Sequence, residues 1–281
     1  MNAAAYAAQV GDVFVLPDTC LKIKQIIDNK ISDLDEIAEL ISLDPSLASR
    51  LLKLANSALY NFPSQVDSVS KAVLLLGEVQ VYNLVVAYGA TEAFATVKPE
   101  ALDLDRFWEQ SIHCALIAKF LAHKLAVRPN EPVYLSGLLH NIGELVVVQV
   151  APDLAAQCQE FKRKQLPWLL QQQVLGFSFV ECSIALMNVW QLPENIQAPL
   201  HHINEPELRS NNQIGLIMHI SAQLALLNTA SDKFEQADLL KPHVLELLGL
   251  TKKDLDEARD FAFLEGLAIL SLLNPRATML F

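Results

Sequence analysis

Gly137-Leu138-Leu139-His140-Asn141-Ile142-Gly143 is the stretch on which the reading of this sequence turns. Gly137 to His140 lies in helical phase with the residues around it, and the pattern extends from Tyr134 to Val150. Leu145-Val146-Val147-Val148 is rich in β-branched residues and mimics a strand, but it sits too close to that helical phase to break it. One helix, Tyr134 to Val150, is therefore expected. At its centre are two polar residues, His140 and Asn141. A second polar pair, His201-His202, lies in a segment punctuated by Pro193, Pro199 and Pro206. Neighbours on a helix point about 100° apart, so only one ring of such a pair faces a given point. Imidazole is the commonest metal ligand and the usual proton shuttle near neutral pH. The plainer reading of each histidine is a hydrogen-bonded core or surface residue.

The surroundings of this stretch favour helices throughout. Of 281 residues, 52% are hydrophobic and only 9 are glycine, about half the usual share of roughly 7%. The formal net charge is −11, which opposes phosphate backbones and anionic membranes. Lys162-Arg163-Lys164 is the only short basic cluster and reads as a solvated helix face. Cys20, Cys114, Cys158 and Cys182 occur singly, with no CxxC pair, so reduced thiols in a cytoplasmic protein are expected. Residues 1–9 carry no signal-peptide pattern, and no apolar run is read as long enough to span a membrane.

Asp33 is expected to cap the first clear helix, with Glu36 completing a capping box. Asp44-Pro45 starts the next, with Leu47, Leu51, Leu54, Ala55 and Ala58 as its apolar stripe. Residues 61–64 break the pattern, and two helical stretches, Ser70 to Leu76 and Val79 to Phe94, hinge near Gly77. Pro99 to Asp105 reads as a linker, with Asp105 capping a helix from Arg106 to Leu125. Pro167 opens a helix, Ile214 to Leu227 is another, and Thr251 with Asp254 boxes the start of a C-terminal one. The expected fold is all-α in two helical lobes. Residues 1–98 form an N-terminal bundle of short helices, and 99–281 a second helical lobe with a C-terminal extension.

The order of motifs resembles a known family. Gly137 to Gly143 is similar to the GLLHDIG signature of HD-type phosphohydrolases. The chain more specifically resembles HDOD (HD-related output domain) proteins, which are bacterial. The resemblance rests on Leu43 to Leu47, Arg50 to Ala58, Val69 to Gly77, Trp108 to Ser111, Trp190 to Pro193 and His201-His202, in order from about residue 15 to residue 228. It implies that the second lobe is an HD-like helical domain. In catalytic relatives, His and Asp residues from several helices hold metal ions that make a nucleophile from bound water. Carried over, the resemblance matches His140, His201 and His202 to family histidines. It puts Asn141 at the central aspartate, Gln110 at a histidine, Phe179 at another histidine, and Ala222 near a late aspartate.

An amide oxygen is a weak neutral donor beside a carboxylate, and Phe and Ala supply no ligand. Losing a metal ligand in this way should each time cost at least the roughly 10–100-fold typical of changing a residue that only supports a ligand. No catalytic residue, metal or other cofactor is therefore expected; a divalent ion would bind only weakly, at His140, His201 and His202. His113, one turn from Gln110, and Glu144, one turn from His140, complete a candidate pocket of Gln110, His113, His140, Asn141, Glu144, His201 and His202. The leading expectation is a non-catalytic signal-transduction module acting through a protein partner or a small ligand in this pocket. The competing one is a metal-dependent phosphohydrolase acting on a nucleotide or cyclic dinucleotide, with Glu144 or Glu109 replacing lost carboxylates. Nucleic-acid binding by a helix-turn-helix-like spacing around Gly77 is a third, which the acidic balance opposes.

Overall fold

A computed structural model describes residues 1–28, 33–57, 60, 62–94, 97, 102–127, 131–205 and 213–273, without the side chains of 131 and 271–273. The described residues are 74% helical, with no strand among them. It divides into two compact units: residues 14–95 with the chain from Leu267, and residues 1–13 with 96–266. The expected boundary at 98/99 is thus shifted slightly, and the chain ends are exchanged. The reason at the N-terminus is α1 (Ala3–Val10), which buries Tyr6, Ala7 and Val10 in the larger unit. Tyr6 meets the edge of Phe177 at 5.0 Å. This helix escapes a periodicity search because alanines make most of its length.

The smaller unit is built around one long helix. α2 (Asp18–Asp28), also absent from the sequence expectations, buries Cys20 and Ile23. α3 (Leu34–Ser42) is capped by Asp33 through the Asp35 amide, without a reciprocal bond from Glu36. α4 (Pro45–Ala55) has Pro45 in its first turn, and Asp44 accepts the Ser46 and Leu47 amides. Its stripe Leu47, Leu51, Leu54 and Ala55 is buried; Ala58 lies outside the described residues. All three helices pack on α5 (Val69–Ala93), which explains why residues 81–90 are buried on every face. α5 kinks at Gly77, whose φ of 77° and ψ of 165° are open essentially only to glycine.

The larger unit starts with α6 (Leu104–Lys124), capped by Asp103 through the Arg106 amide at 3.0 Å. The cap is two residues earlier than expected: Asp105 falls inside the first turn. The expected Tyr134–Val150 helix is two helices, α7 (Glu131–Leu139) and α8 (Gly143–Val150), separated by a turn at 140–142. A continuous helix would send the Gly143 amide to the Leu139 carbonyl. Instead that amide donates to Ser183 Oγ at 2.8 Å, and the Leu139 carbonyl accepts from Ile142. A tertiary hydrogen bond therefore breaks the helix. Two stretches, Val69–Ala93 and Pro132–Val150, are long and apolar enough by composition to cross a membrane, correcting the sequence expectation. Both are mostly buried, one kinked at Gly77 and the other broken at 140–142.

α9 (Pro152–Gln159) and α10 (Pro167–Leu175) lead to α11 (Phe179–Val189), which Ser178 and Glu181 cap reciprocally. α12 (Glu194–Gln197) runs into a 3₁₀ turn at Ala198–Leu200. α13 (Gln213–Thr229) packs along α6 and touches α7. α14 (Gln236–Leu239) and α15 (Pro242–Leu248) precede α16 (Lys252–Leu273). The Thr251–Asp254 box at the start of α16 forms, with the Thr251 amide donating to Asp254 at 2.7 Å. Ile112, Leu116, Ile117 and Leu121 of α6 are fully buried, each contributing about 1.5–3 kcal/mol of hydrophobic stabilisation.

Candidate functional site

Both glycines of the opening stretch hold helices against each other. A Cβ on Gly137 would lie 2.7 Å from Ala115 Cα of α6, and one on Gly143 would lie 2.1 Å from the Phe179 carbonyl oxygen of α11. These two close approaches fix the turn at 140–142. That turn lines a cavity of about 160 Å³ in the larger unit, together with residues of α6, α9, α10, α11 and α13. The volume is close to the roughly 150 Å³ of a cavity that admits benzene.

His140 is 3% exposed, with Nδ1 2.7 Å from the Gly137 carbonyl. A carbonyl only accepts, so Nδ1 carries the proton and donates, leaving Nε2 with its lone pair. Burial pushes this imidazole down to about 4, against the Gly137 bond, so it is neutral at pH 7. Asn141 Nδ2 donates to Glu144 Oε2 at 2.6 Å, and Gln159 Nε2 donates to Oε1 at 3.3 Å. Burial raises the Glu144 carboxyl to about 7; the two amide bonds and the Arg106 charge pull the other way. Gln110 Oε1 accepts from Thr229 Oγ1 at 3.4 Å. Gln223, 1% exposed, has a buried side-chain oxygen with no hydrogen-bond partner.

Of the residues expected at the site, the fold brings Gln110, His140, Asn141 and Glu144 to one cavity wall, with Phe179 and Ala222 beside them. Three others are corrected. His113 is one turn from Gln110 but off the wall: its Nδ1 accepts from Asn228 at 3.2 Å, and Gly266 of α16 lies against its ring. Burial, then the Arg259 charge, lowers it to about 4. His201 and His202 are exposed and also off the wall. The turn they follow buries Pro199 and Leu200 instead, and the buried Ile203 carbonyl accepts from His219 Nδ1 at 2.6 Å. Glu109 is absent from the lining too.

Sequence reasoning missed Arg106, Gln159, Trp168 and Gln223, all of which line the cavity. Arg106 was accessible: it lies one turn before Gln110, on the same face of α6. Gln159, Trp168 and Gln223 depend on how separate helices meet.

The donor set does not suit the metal cage of the catalytic relatives. The lining offers one imidazole, His140, and two carboxyls, Glu144 and the α6 cap Asp103, among neutral amides, aromatic rings and a methyl group, where a divalent-ion cage needs several anionic or imidazole ligands converging on one point. Among the described residues, no group of three or more His, Cys, Asp or Glu is placed to hold a metal ion. The wall is equipped to hold polar groups by hydrogen bonds.

Comparison with known proteins agrees with this architecture. The HDOD domain family matches residues 13–206. An uncharacterised protein of Treponema pallidum is 30% identical over 197 residues, 69% of this chain but only 38% of that protein. The chain thus spans well under half the length of that curated relative. A candidate phosphohydrolase structure from Shewanella amazonensis superposes with a TM-score of 0.72 at 25% identity, covering 96% of this chain and 98% of that one. A candidate signal transduction protein from Marinobacter aquaeolei gives 0.71 at 25% identity, covering 92% and 59% respectively. An HDOD domain protein of Geobacter sulfurreducens gives 0.70 at 21% identity over 96% and 97%, which speaks for the fold.

Proposed function

Because the chain belongs to the HDOD family, we propose that it is a non-catalytic signal-transduction module, acting through a protein partner or a small ligand held in a degenerate HD cavity. The observation that carries this reading is the Asn141–Glu144 hydrogen bond. Where the hydrolytic chemistry needs a carboxylate on the metal, this protein has an amide, and that amide is occupied with its own neighbour. Gln110, Phe179 and Ala222 remove further ligands from the same wall. The four cysteines are free and buried, in keeping with the reducing cytosol of a bacterial cell.

Elemental analysis of the purified protein, followed by a phosphodiesterase assay with added manganese, tests the reading. Sub-stoichiometric metal and no cleavage of nucleotide or cyclic-dinucleotide substrates are expected. A full equivalent of transition metal, or cleavage abolished by His140→Ala, establishes the competing phosphohydrolase reading instead.

A further inference from the structure

The same cavity is lined by Arg106 and two carboxyls, Asp103 and Glu144. Asp103 is engaged in capping α6, and Arg106 and Glu144 carry opposite charges that do not pair with each other. Arg106 stands on α6 and makes no ion pair or side-chain hydrogen bond among the described residues; only its backbone amide is engaged, by Asp103. Glu144 stands on α8, each carboxyl oxygen taking one amide N–H. The two groups feel one another's charge, yet no direct bridge joins them. Each carboxyl oxygen has a second lone pair to offer, and the guanidinium has its whole fork.

Building on the ligand-binding reading above, we propose that this gap receives a small zwitterion, a free α-amino acid. Its carboxylate lies on Arg106, its ammonium on Glu144, and its side chain in the cavity. A planar guanidinium matches a carboxylate through two parallel hydrogen bonds. An ammonium brings three donors to a carboxyl that still has acceptor capacity. A ligand with one charge would leave the other wall charge partly desolvated and unpaired, and a neutral one would leave both. The volume of about 160 Å³ has room for a side chain of about one ring. Phe107 and Phe179 supply apolar wall for that side chain. Gln223 and His140 supply buried acceptors, so side chains carrying an N–H or O–H donor gain most.

The test is thermal unfolding of the full chain with each of the standard L-amino acids, followed by calorimetric titration of the best. Its decarboxylated amine and its deaminated acid serve as half-ligands. One amino acid is expected to raise the Tm, with both half-ligands at least tenfold weaker. Arg106→Gln and Glu144→Gln should each weaken it at least tenfold, and Lys162→Gln, away from the cavity, should leave it unchanged. The inference is overturned if no amino acid shifts the Tm, if a half-ligand binds as well as its parent, or if either cavity variant binds normally. That failure would leave the non-catalytic reading standing, since metal content and the phosphodiesterase assay decide it separately.

Discussion

Asn141 Nδ2 donates to Glu144 Oε2 at 2.6 Å across one turn of the chain. The bond ties the last polar residue of the turn to the first turn of α8. It holds a carboxyl that shares the cavity wall with His140. An aspartate at position 141 could not make it without a shared proton, so the amide and the carboxyl belong together as a pair.

Asn141→Asp tests that pairing. Two carboxyl groups at this separation cannot both ionise, so one stays protonated well above its ordinary range. Between pH 5 and 8 the variant should lose about 1–2 kcal/mol more stability than the wild type, read by urea denaturation. It should not gain a stoichiometric metal, because Gln110, Phe179 and Ala222 remain. Tight manganese binding by this single variant would contradict the account of the site.

Glu144 itself makes stability depend on pH. Its folded value, about 7, lies above the ordinary 4.5, so the folded state holds the proton more strongly than the unfolded state. That contribution is present at low pH and is lost as pH rises from about 4.5 through 7. Because the residue is half-buried, the loss should be on the order of 1 kcal/mol. Glu144→Gln should flatten this part of the profile; an unchanged slope would place the carboxyl in water.

His113 gives the opposite slope. Its folded value, about 4, lies below the ordinary 6.5. Stability is therefore present above 6.5 and lost as pH falls towards 4, and His140 acts in the same sense. His113 is held by Asn228, whose Oδ1 accepts from Arg259 Nε at 2.8 Å. Asn228→Ala should cost about 1–3 kcal/mol by leaving both neighbours unsatisfied. Wild-type stability in that variant would remove the chain of bonds from His113 to α16.

Gly137→Ala and Gly143→Ala should each destabilise by about 1–3 kcal/mol or more, since a Cβ at either position meets the backbone of another helix. Gly11→Ala is the comparison: the nearest atom to its Cβ would be the Val189 side chain at 3.3 Å, with backbone no closer than 3.5 Å, and its cost should be smaller. Chemical denaturation of the three variants ranks them. Equal effects would mean that the helices at the signature are not closely apposed.

Much of the fold was legible in the sequence because it is local. Asp44 before Pro45, the Thr251–Asp254 box and the hinge at Gly77 are decided within a few residues, and each forms where expected. The family resemblance likewise named Gln110, His140, Asn141, Phe179 and Ala222 of the cavity wall, and helical spacing from His140 added Glu144. Other features were not legible, because their cause lies elsewhere in the chain. The helix through His140 stops because Ser183, 40 residues on, takes the Gly143 amide. His113 serves α16 because Asn228 and Gly266 come to it. His201 and His202 stay outside because the turn before them buries apolar neighbours. Arg106 and Glu144 face one cavity only because α6 and α8 both border it. Periodicity and capping are short-range and can be read along the chain, whereas burial and hydrogen-bond partners arise from packing, and packing decided what this site can hold.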